Sequence, residues 1–436
     1  MRTATHLVRR SAYAAALALL AGGVVSAPAL AATTGTTILS PGDGVGGDLF
    51  GDSVSTSATG AVTAVGSPEH NSAGAVYVFN GTTQTAELSP SNPLADEEFG
   101  QTVSISGNGE TVVAGAPGAG AGDQGAGYVF SDASGAWTQI AELTVSGTSG
   151  LGTSLAISTD ASTIVAGAPE TNNDNGEAVV FTKSGSTYAE TQVLTEPTTA
   201  ASSASGAKVL TRAESPASAA RKPKPAPKPA PAPAPPPAPA LIGQSSAISS
   251  NGSTIAFGEP QVGVTDVFTK AAGASTWAQT AQLHGGGDSV AVDGSGTIIA
   301  AGQDGINDLN GAAFVFTESG TTFTEASEVL PAANTSRAAQ DAGESIGISA
   351  DGSVVAFGAP TATAGSAFES GEVFVATETS TNAWTLTATD AEPNPVSDDD
   401  LGGGDQGVSV AGNGSAIVAG DRDAHGTGEA LIFPVS

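Results

Sequence analysis

The sequence predicts an all-β fold, specifically a seven-bladed β-propeller of four-stranded blades. Three observations support this prediction: one repeat occurs seven times in register, each copy holds four short strand patterns, and the two ends of the chain complete one unit together. The reference copy runs from Phe99 to Leu143. Turn residues divide it into strands predicted at Val103–Ser106, Thr111–Ala114, Gly127–Phe130 and Thr138–Leu143. Four-stranded units repeated around an axis are the blades of a propeller.

The first 31 residues have the pattern of a secretory signal peptide. Arginines precede an apolar run over 12–25, and Ala29-Leu30-Ala31 has the small-residue form of a cleavage site. The apolar run is shorter than the roughly 20 residues that a membrane span needs. We therefore expect a mature chain from Ala32 that is secreted, extracellular or cell-wall associated, with no membrane span.

The composition agrees with an exported β protein. The chain has no cysteine, so its stability must come from burial and sheet hydrogen bonds. With 43 acidic and 13 basic residues the formal charge is −30. An acidic surface of this kind repels phosphate backbones, which argues against nucleic acid as a partner.

The seven copies align on a small residue in the turn between their first two strands. These residues are Gly60, Gly109, Ala161, Gly252, Gly296, Gly352 and Gly414. Nine residues upstream stand Gly51, Gly100, Gly152, Gly243, Gly287, Gly343 and, in the last copy, Asp405. Six residues downstream a glycine occurs without exception, at Gly66, Gly115, Gly167, Gly258, Gly302, Gly358 and Gly420. Glycines at fixed places indicate close backbone approach where a Cβ would not fit.

The strands within one copy differ as the strands of a blade should. First strands are short and small-sided, and second strands are near-continuous apolar runs, as expected when both faces are covered. Third strands carry an aromatic residue such as Phe79, which we expect to fill the space between neighbouring blades. Fourth strands alternate polar and apolar residues, like outer strands with one exposed face.

The two ends of the chain predict closure of the ring. The seventh copy stops after its third strand, at Phe433, and has no fourth strand. Ile38-Leu39-Ser40-Pro41 precedes the first copy without a partner and matches Glu87-Leu88-Ser89-Pro90, where a fourth strand ends. The N-terminal strand is therefore predicted to complete blade seven, whereas an open array would need caps at both ends.

Several of these residues together resemble the FG-GAP repeat. They are Phe50-Gly51, Phe99-Gly100, Gly115-Ala116-Pro117, Gly167-Ala168-Pro169 and Gly358-Ala359-Pro360. That repeat builds the seven-bladed propeller at the N-terminus of integrin α chains and occurs in secreted bacterial proteins. The resemblance weakens in blades five and seven, where Gln303-Asp304 and Asp421-Arg422 replace Ala-Pro. It implies the fold, and only loosely a role in adhesion.

The integrin-type repeat often holds calcium in a D-x-D-x-D-G loop between its first two strands, because a hard cation needs several clustered oxygen ligands. Here those loops read as tight hairpin turns with at most one or two carboxylates, as in Gly107-Asn108-Gly109 and Ala350-Asp351-Gly352. The family's calcium site therefore does not carry over to any blade, and no cofactor is expected from the resemblance.

A proline-rich segment over 200–240 interrupts the repeats. It divides the chain into a closing strand with blades one to three, over 32–199, and blades four to seven, over 241–436. Its Lys-Pro and Ala-Pro runs favour an extended, disordered insertion. Two interpretations remain open: an inert spacer, or a basic arm that contacts an anionic cell-wall polymer. A linker between two independent domains is less consistent, because three blades alone would leave open edges.

Catalytic patterns are weak. Gly343-Glu344-Ser345-Ile346-Gly347 matches the G-x-S-x-G nucleophile elbow, but the repeat places it at the start of an inner strand. The histidines His70, His284 and His425 are isolated in sequence, without the spacing of a metal site or a triad. We therefore expect a chain that is not an enzyme.

Two acidic clusters are the candidate binding residues. Asp398, Asp399, Asp400 and Asp405 precede blade seven, and Asp304 and Asp308 lie in the loop between the second and third strands of blade five. Both loops emerge on the same face of a propeller. Solvated loop charge is the simpler interpretation. A weak Ca²⁺ site that uses Asp304, Asp308 or Asp399 is the sharper one.

The sequence thus favours a monomeric, non-enzymatic propeller that binds an extracellular protein or glycan through this face. A secreted propeller enzyme with an unrecognised site and a purely structural envelope protein are the alternatives. Resemblance in fold indicates architecture much better than it indicates a ligand.

Overall fold

The structure is a computed structural model, which describes residues 35–195, 241–307, 310–331, 340–404 and 406–435. Over these residues it is a seven-bladed propeller of four-stranded antiparallel sheets, which confirms the predicted fold class. The predicted signal peptide, the proline-rich segment over 200–240, Asp308 and Asp405 all lie outside the described residues.

The strands occur in the predicted places. In chain order they are β1 (Thr37–Leu39), β2 (Val54–Thr56), β3 (Val62–Ser67), β4 (Ala75–Asn80), β5 (Thr83–Leu88), β6 (Val103–Ile105), β7 (Thr111–Ala116), β8 (Ala126–Ser131), β9 (Thr138–Leu143), β10 (Ser154–Ile157), β11 (Thr163–Ala168), β12 (Glu177–Ser184), β13 (Thr187–Leu194), β14 (Ser245–Ile248), β15 (Thr254–Glu259), β16 (Val264–Thr269), β17 (Ala278–His284), β18 (Ser289–Val292), β19 (Ile298–Gln303), β20 (Ala312–Ser319), β21 (Thr322–Val329), β22 (Ile346–Ile348), β23 (Val354–Ala359), β24 (Glu372–Ser380), β25 (Ala383–Asp390), β26 (Val408–Val410), β27 (Ala416–Asp421) and β28 (Glu429–Pro434). Second strands extend two residues beyond the prediction in β7, because Gly115 and Ala116 also pair with the third strand.

Among the described residues, helical structure is confined to three short turns between second and third strands. One is a four-residue helix, α1 (Thr171–Asp174), and two are 3₁₀ turns at His70–Ser72 and Ala424–Gly426. The loops between second and third strands and those between successive blades share one side of the ring, which we call the upper face. The hairpins within each blade that join strands one to two and three to four form the lower face.

The ring is closed by β1, as predicted. This strand pairs antiparallel with β28, with Ile38 opposite Leu431 and Leu39 opposite Ala430. Blade seven therefore has the order β1-β28-β27-β26. The two side chains differ in burial: Leu39 is 1 % exposed and packs in the core, whereas Ile38 is 42 % exposed.

The hydrophobic core lies between blades. One cluster combines Leu39 and Val418 of blade seven with Val54 and Phe79 of blade one. The phenylalanine that precedes each Phe-Gly glycine packs edge-on against the aromatic residues of the third strand, as in Phe50 with Tyr77 at 5.5 Å between ring centroids. The predicted role of the third-strand aromatic is therefore confirmed. Such pairs contribute about 1 kcal/mol beyond their buried area.

A hydrogen bond to one carbonyl group repeats at the seams between blades. The hydroxyl that opens an inner strand donates to a carbonyl oxygen of the next blade. The carbonyl belongs to the glycine equivalent to Gly51, as when Thr102 Oγ1 donates to Gly152 O at 2.9 Å. Equivalent bonds leave Ser53, Ser154, Ser289 and Ser345. The same carbonyl lies against the glycine six residues beyond the hairpin, where a Cβ would overlap with it. This contact explains why that glycine occurs in all seven copies.

Blade seven departs from the predicted alignment. Gly402, not residue 405, takes the place of Gly51: its amide donates to Gly420 O at 2.8 Å, as Gly51 N donates to Gly66 O at 3.0 Å. Ser345 Oγ also donates to Gly402 O, at 2.6 Å. Six positions separate Gly402 from the first residue of β26, whereas three separate Gly51 from β2. An insertion of three residues therefore hid the motif, which reads Leu401-Gly402.

The hairpins of the lower face are held by their own side chains. Asp351 Oδ1 accepts hydrogen bonds from the Ser349 hydroxyl at 2.6 Å and from the Ser353 amide at 3.0 Å. Burial opposes the effect, but these hydrogen bonds lower the pKa of Asp351 below its ordinary value. The turns are tight, as predicted, and their single carboxylates are already engaged.

Blade four contains a buried pair of carboxyl groups. Asp266 on β16 is fully buried and shares a hydrogen bond with Glu259, which ends β15 and is 1 % exposed. Gln279 Nε2 donates to Asp266 Oδ1 at 2.8 Å. Burial raises the pKa of Asp266, so the folded protein favours the protonated form of this group up to a higher pH than the unfolded chain does.

This pair should make stability depend on pH. A carboxyl whose folded pKa is raised contributes stability that is present below its unfolded pKa, about 4, and is lost as pH rises through its folded pKa. We expect Asp266→Asn to gain in melting temperature relative to the wild type as the pH rises above the unfolded pKa of about 4. Differential scanning calorimetry measures this. Asp132→Asn, in a lower-face loop, is the control, and an equal pH slope for both variants would contradict the assignment.

Candidate functional site

The upper face gathers acidic side chains from several blades. Asp52, Asp288 and Glu344 occupy equivalent positions in blades one, five and six. Each of them immediately follows Gly51 or the glycine equivalent to it. Equivalent positions of a propeller lie on a ring around its axis. Asp304 joins this ring, because its amide donates to Asp288 Oδ2 at 2.9 Å.

Arg422 links blade seven to blade one within this acidic region. Its Nη1 lies 2.9 Å from Asp52 Oδ1 and its Nη2 lies 2.8 Å from Asp400 Oδ2. Burial alone would lower the pKa of Arg422, but the two carboxylates raise it above its ordinary value. In this seam a glycine, Gly407, stands where most blades have the hydroxyl, so the ion pairs replace the missing hydrogen bond.

The two predicted acidic clusters come together around blade six. Burial raises the pKa of Glu344, and the charge of Asp400 raises it further, with a smaller effect of Asp304. The pKa of Asp341 is raised by burial and then by the charges of Asp304, Glu369 and Asp400. Groups from the loops of blades five and seven therefore share one electrostatic environment, which we call the acidic basin: Asp52, Asp288, Asp304, Asp341, Glu344 and Asp400.

The other predicted site residues lie in different places and do not join the acidic basin in the described structure. Asp398 is exposed at the rim, with its amide bonded to Phe368 O at 2.9 Å. Asp399 is buried and belongs to a separate group with Glu392 and Asp421. Asp308 and Asp405 lie outside the described residues, so their predicted roles stay predictions.

Glu392, Asp399 and Asp421 form this buried group at the upper end of blade seven. One carboxylate oxygen from each lies within 4.8 Å of the others. Burial, assisted by the neighbouring carboxylates, raises the pKa of Asp421 to about 8 and that of Glu392 to about 7. Three carboxylates this close cannot all be ionised without a proton or a cation among them.

His70 and His425 are isolated in the sequence from residues with metal-site or triad spacing, but the structure places carboxylates beside both. His70 Nδ1 lies 2.9 Å from Asp48 Oδ2, with Asp43 and Glu87 near its other nitrogen. His425 Nδ1 lies 3.6 Å from Glu429 Oε1, and Glu392 completes that group. Glu429 is four residues from His425, but the other carboxylates come from distant strands and loops, so spacing along the chain gives no sign of them.

The G-x-S-x-G segment opens an inner strand, as the repeat predicts. Ser345 is 1 % exposed, and its hydroxyl is held by the seam hydrogen bond to Gly402. Inside the ring, the inner strands surround a channel of about 210 Å³. Gln406 reaches across this channel, with its Nε2 donating to Leu155 O at 2.9 Å.

An open groove lies away from the acidic basin. Its volume is about 720 Å³, and it lies between the outer strands of blades one and two, lined by residues such as Val78, Trp137 and Gln139. Its two carboxylates, Glu87 and Asp132, come from different blades. The upper face is the stronger candidate for a binding site, because charged groups from several blades converge there.

Two comparisons with known proteins bear on this chain. Residues 34–79 and 82–130 match the FG-GAP repeat. Among solved structures, the β-propeller domain of Cps50 (Swd1) from Myceliophteria thermophila is similar in fold, with a TM-score of 0.57 and 10 % sequence identity over 93 % of this chain and 99 % of that one. No curated protein matches the sequence. In the part of the chain that the structure describes, no helix has the length and hydropathy needed to cross a bilayer.

Proposed function

Because residues 34–79 and 82–130 match the FG-GAP repeat and the described chain closes into a seven-bladed propeller, we propose that it is an extracellular, non-enzymatic binding protein. In this proposal the upper face binds a protein ligand with a positively charged surface. The observation that carries the proposal is the acidic basin, where carboxylates from blades one, five, six and seven meet.

The chemistry of the basin supports a cationic ligand. Only Arg422 brings positive charge among the residues that form its ion pairs in the described structure, and it already bridges Asp52 and Asp400. Asp304 and Asp398 remain accessible at the rim. A patch of one sign attracts a partner of the opposite sign and speeds its association. FG-GAP propellers generally bind proteins, which favours a protein over a glycan.

The non-enzymatic part of the proposal rests on how the polar groups are used. Ser345 is held in a seam, His70 is bonded to Asp48 and Asn71, and Arg422 joins two blades. These roles stabilise the ring. The extracellular location is supported by the signal-like residues 1–31 and by the usual location of FG-GAP repeats.

The binding face can be tested with two charge-matched double variants of the mature chain, 32–436. Asp304→Asn with Asp398→Asn removes two charges from the upper rim, and Glu110→Gln with Asp132→Asn removes two from the lower face. After an array of extracellular proteins and glycans has identified a ligand, both variants are titrated against it at two salt concentrations. We expect the first variant to lose about tenfold in affinity and most of its salt dependence, because rim charges act through long-range attraction.

The lower-face variant should bind like the wild type. Equal losses in both variants, or none in either, would contradict the upper face as the binding surface. Hits confined to glycans would replace the protein ligand by a sugar. Turnover of a hit that one substitution abolishes would show an enzyme instead.

A further inference from the structure

We propose that Glu392, Asp399 and Asp421 form a calcium-binding site at the upper end of blade seven. The site is separate from the tight lower-face hairpins, where the FG-GAP resemblance would place calcium. It does not depend on the ligand proposed above.

The fold brings the three carboxylates together from two segments. Glu392 and Asp399 lie in the connection from β25 to β26, and Asp421 ends β27. Their exposed fractions are 4 %, 5 % and 0 %. One oxygen from each lies within 4.8 Å of the other two. Side chains this well buried are fixed by packing, so the arrangement does not depend on mobile surface groups.

Two buried oxygens of this group, Asp421 Oδ2 and Glu392 Oε2, accept no hydrogen bond from a neighbouring donor. The Glu392 carboxyl group faces that of Asp399, which is itself an acid. Two other oxygens are used for positioning: Asp421 Oδ1 accepts from the Asp400 amide at 3.0 Å, and Asp399 Oδ2 accepts from the Val396 amide at 2.8 Å. An unpaired buried carboxylate oxygen is costly, and a bound cation would satisfy both.

Blade one provides an internal comparison. Asp48 there is equivalent to Asp399, since its Oδ2 accepts from Val45 N at 2.8 Å in the same local turn. The positions of Asp421 and Ala424 are held in blade one by Ser67 and His70. His70 hydrogen-bonds Asp48 at 2.9 Å, and the Ser67 hydroxyl bonds Asp48 O. Blade seven thus replaces a hydroxyl and an imidazole by a second carboxylate and a methyl group.

The nearby positive charge compensates this change only in part. The guanidinium of Arg422 is engaged by Asp52 and Asp400. His425 lies 3.6 Å from Glu429 and also faces Glu392, so it acts on one of the three carboxylates. Of the described groups facing the three carboxylates, Glu429 adds a further buried, unpartnered oxygen. The group therefore has an excess of negative charge that a divalent cation would balance.

The donor set favours calcium. Carboxylate oxygens are ligands for hard cations, and the three oxygens lie within 4.8 Å of one another, close enough to share one ion. Ca²⁺ accepts six to eight oxygen ligands in irregular geometry, whereas Mg²⁺ demands near-ideal octahedral geometry and keeps several waters. A buried group of side-chain carboxylates on two segments therefore suits calcium better than magnesium.

Isothermal titration calorimetry of chelator-treated mature chain with CaCl₂ tests the site. We expect one ion per chain with a dissociation constant of about 10⁻⁴ M, in the range of extracellular calcium modules. MgCl₂ should bind at least about tenfold more weakly. Calcium should also raise the melting temperature, because it binds only the folded state.

Two near-isosteric variants and a control make the result specific. Asp421→Asn and Glu392→Gln should each weaken calcium binding at least about tenfold, since each removes a charged ligand. Asp351→Asn, in a lower-face hairpin, should bind like the wild type. Circular dichroism confirms that each variant is folded, and Glu392→Gln serves alone if Asp421→Asn does not fold. Absence of calcium binding, tighter binding of magnesium, or binding unchanged in both variants would overturn the proposal.

Discussion

Gly115→Ala is expected to destabilise the propeller by about 3 kcal/mol or more. A Cβ at this position would overlap with Gly152 O of the next blade and with the Thr102 hydroxyl. Those two groups form the seam hydrogen bond at 2.9 Å. The neighbour is backbone, which cannot move aside without shifting blade three, so the added methyl both strains the seam and breaks its hydrogen bond.

Chemical denaturation of the variant and wild type measures the effect. Gly305→Ala is the matched control. A Cβ at this position would have no heavy atom within 4 Å, and Gly305 has no positive φ. We expect that substitution to change stability by less than about 0.5 kcal/mol. Similar losses in the two variants would show that the glycines matter for chain flexibility and not for the approach of neighbouring blades.

The architecture could be predicted because the same physical requirement recurs seven times. Every seam needs a glycine for close approach, and most seams also have a hydroxyl that donates to the neighbouring carbonyl and an apolar residue before the glycine equivalent to Gly51, so the pattern repeats along the chain. The closing strand was predictable for the same reason, since Leu39 has the burial of Leu88 at the end of a fourth strand. Boundaries were less certain, because Gly115 and Ala116 continue β7 although their residue types resemble a turn.

The candidate site was harder to predict because it uses residues that break the repeat. Asp421 replaces the small residue of the Gly-Ala-Pro segment. Glu392 lies in a connection without a repeated pattern. The three-residue insertion after Gly402 concealed the register that would have aligned Asp399 with Asp48. A comparison of copies position by position, with attention to polar exceptions, is the signal that could have found the group.

Asp52, Asp288 and Glu344 are acidic residues whose positions the repeat does predict. Each follows Gly51 or the glycine equivalent to it, so the repeat itself predicts that they lie on a ring. Their electrostatic environment depends on charged residues that the loops add, such as Asp304 and Asp400. Repeats thus specify positions, and departures from the repeat specify chemistry.

Leu39→Asp is expected to open the ring at blade seven, with a loss of about 4 kcal/mol or more. Leu39 is 1 % exposed and packs with Phe50 and Val418 in the cluster that joins blade seven to blade one. A carboxylate there loses the apolar contacts and must be either desolvated or exposed by detachment of β1. Detachment would leave β28 as an open edge, which favours aggregation.

The adjacent residue on the same strand separates burial from strand pairing. Ile38→Asp introduces the same charge one residue away, but its side chain is 42 % exposed and points to the opposite face of β1. We expect it to cost less than about 1 kcal/mol. Hydrogen exchange measured by mass spectrometry should show faster exchange in β28 for Leu39→Asp only, because the backbone groups of β28 that pair with β1 become free. If both variants exchange alike, β1 is held by its backbone hydrogen bonds and not by the buried leucine, and the closure would not depend on the core between blades seven and one.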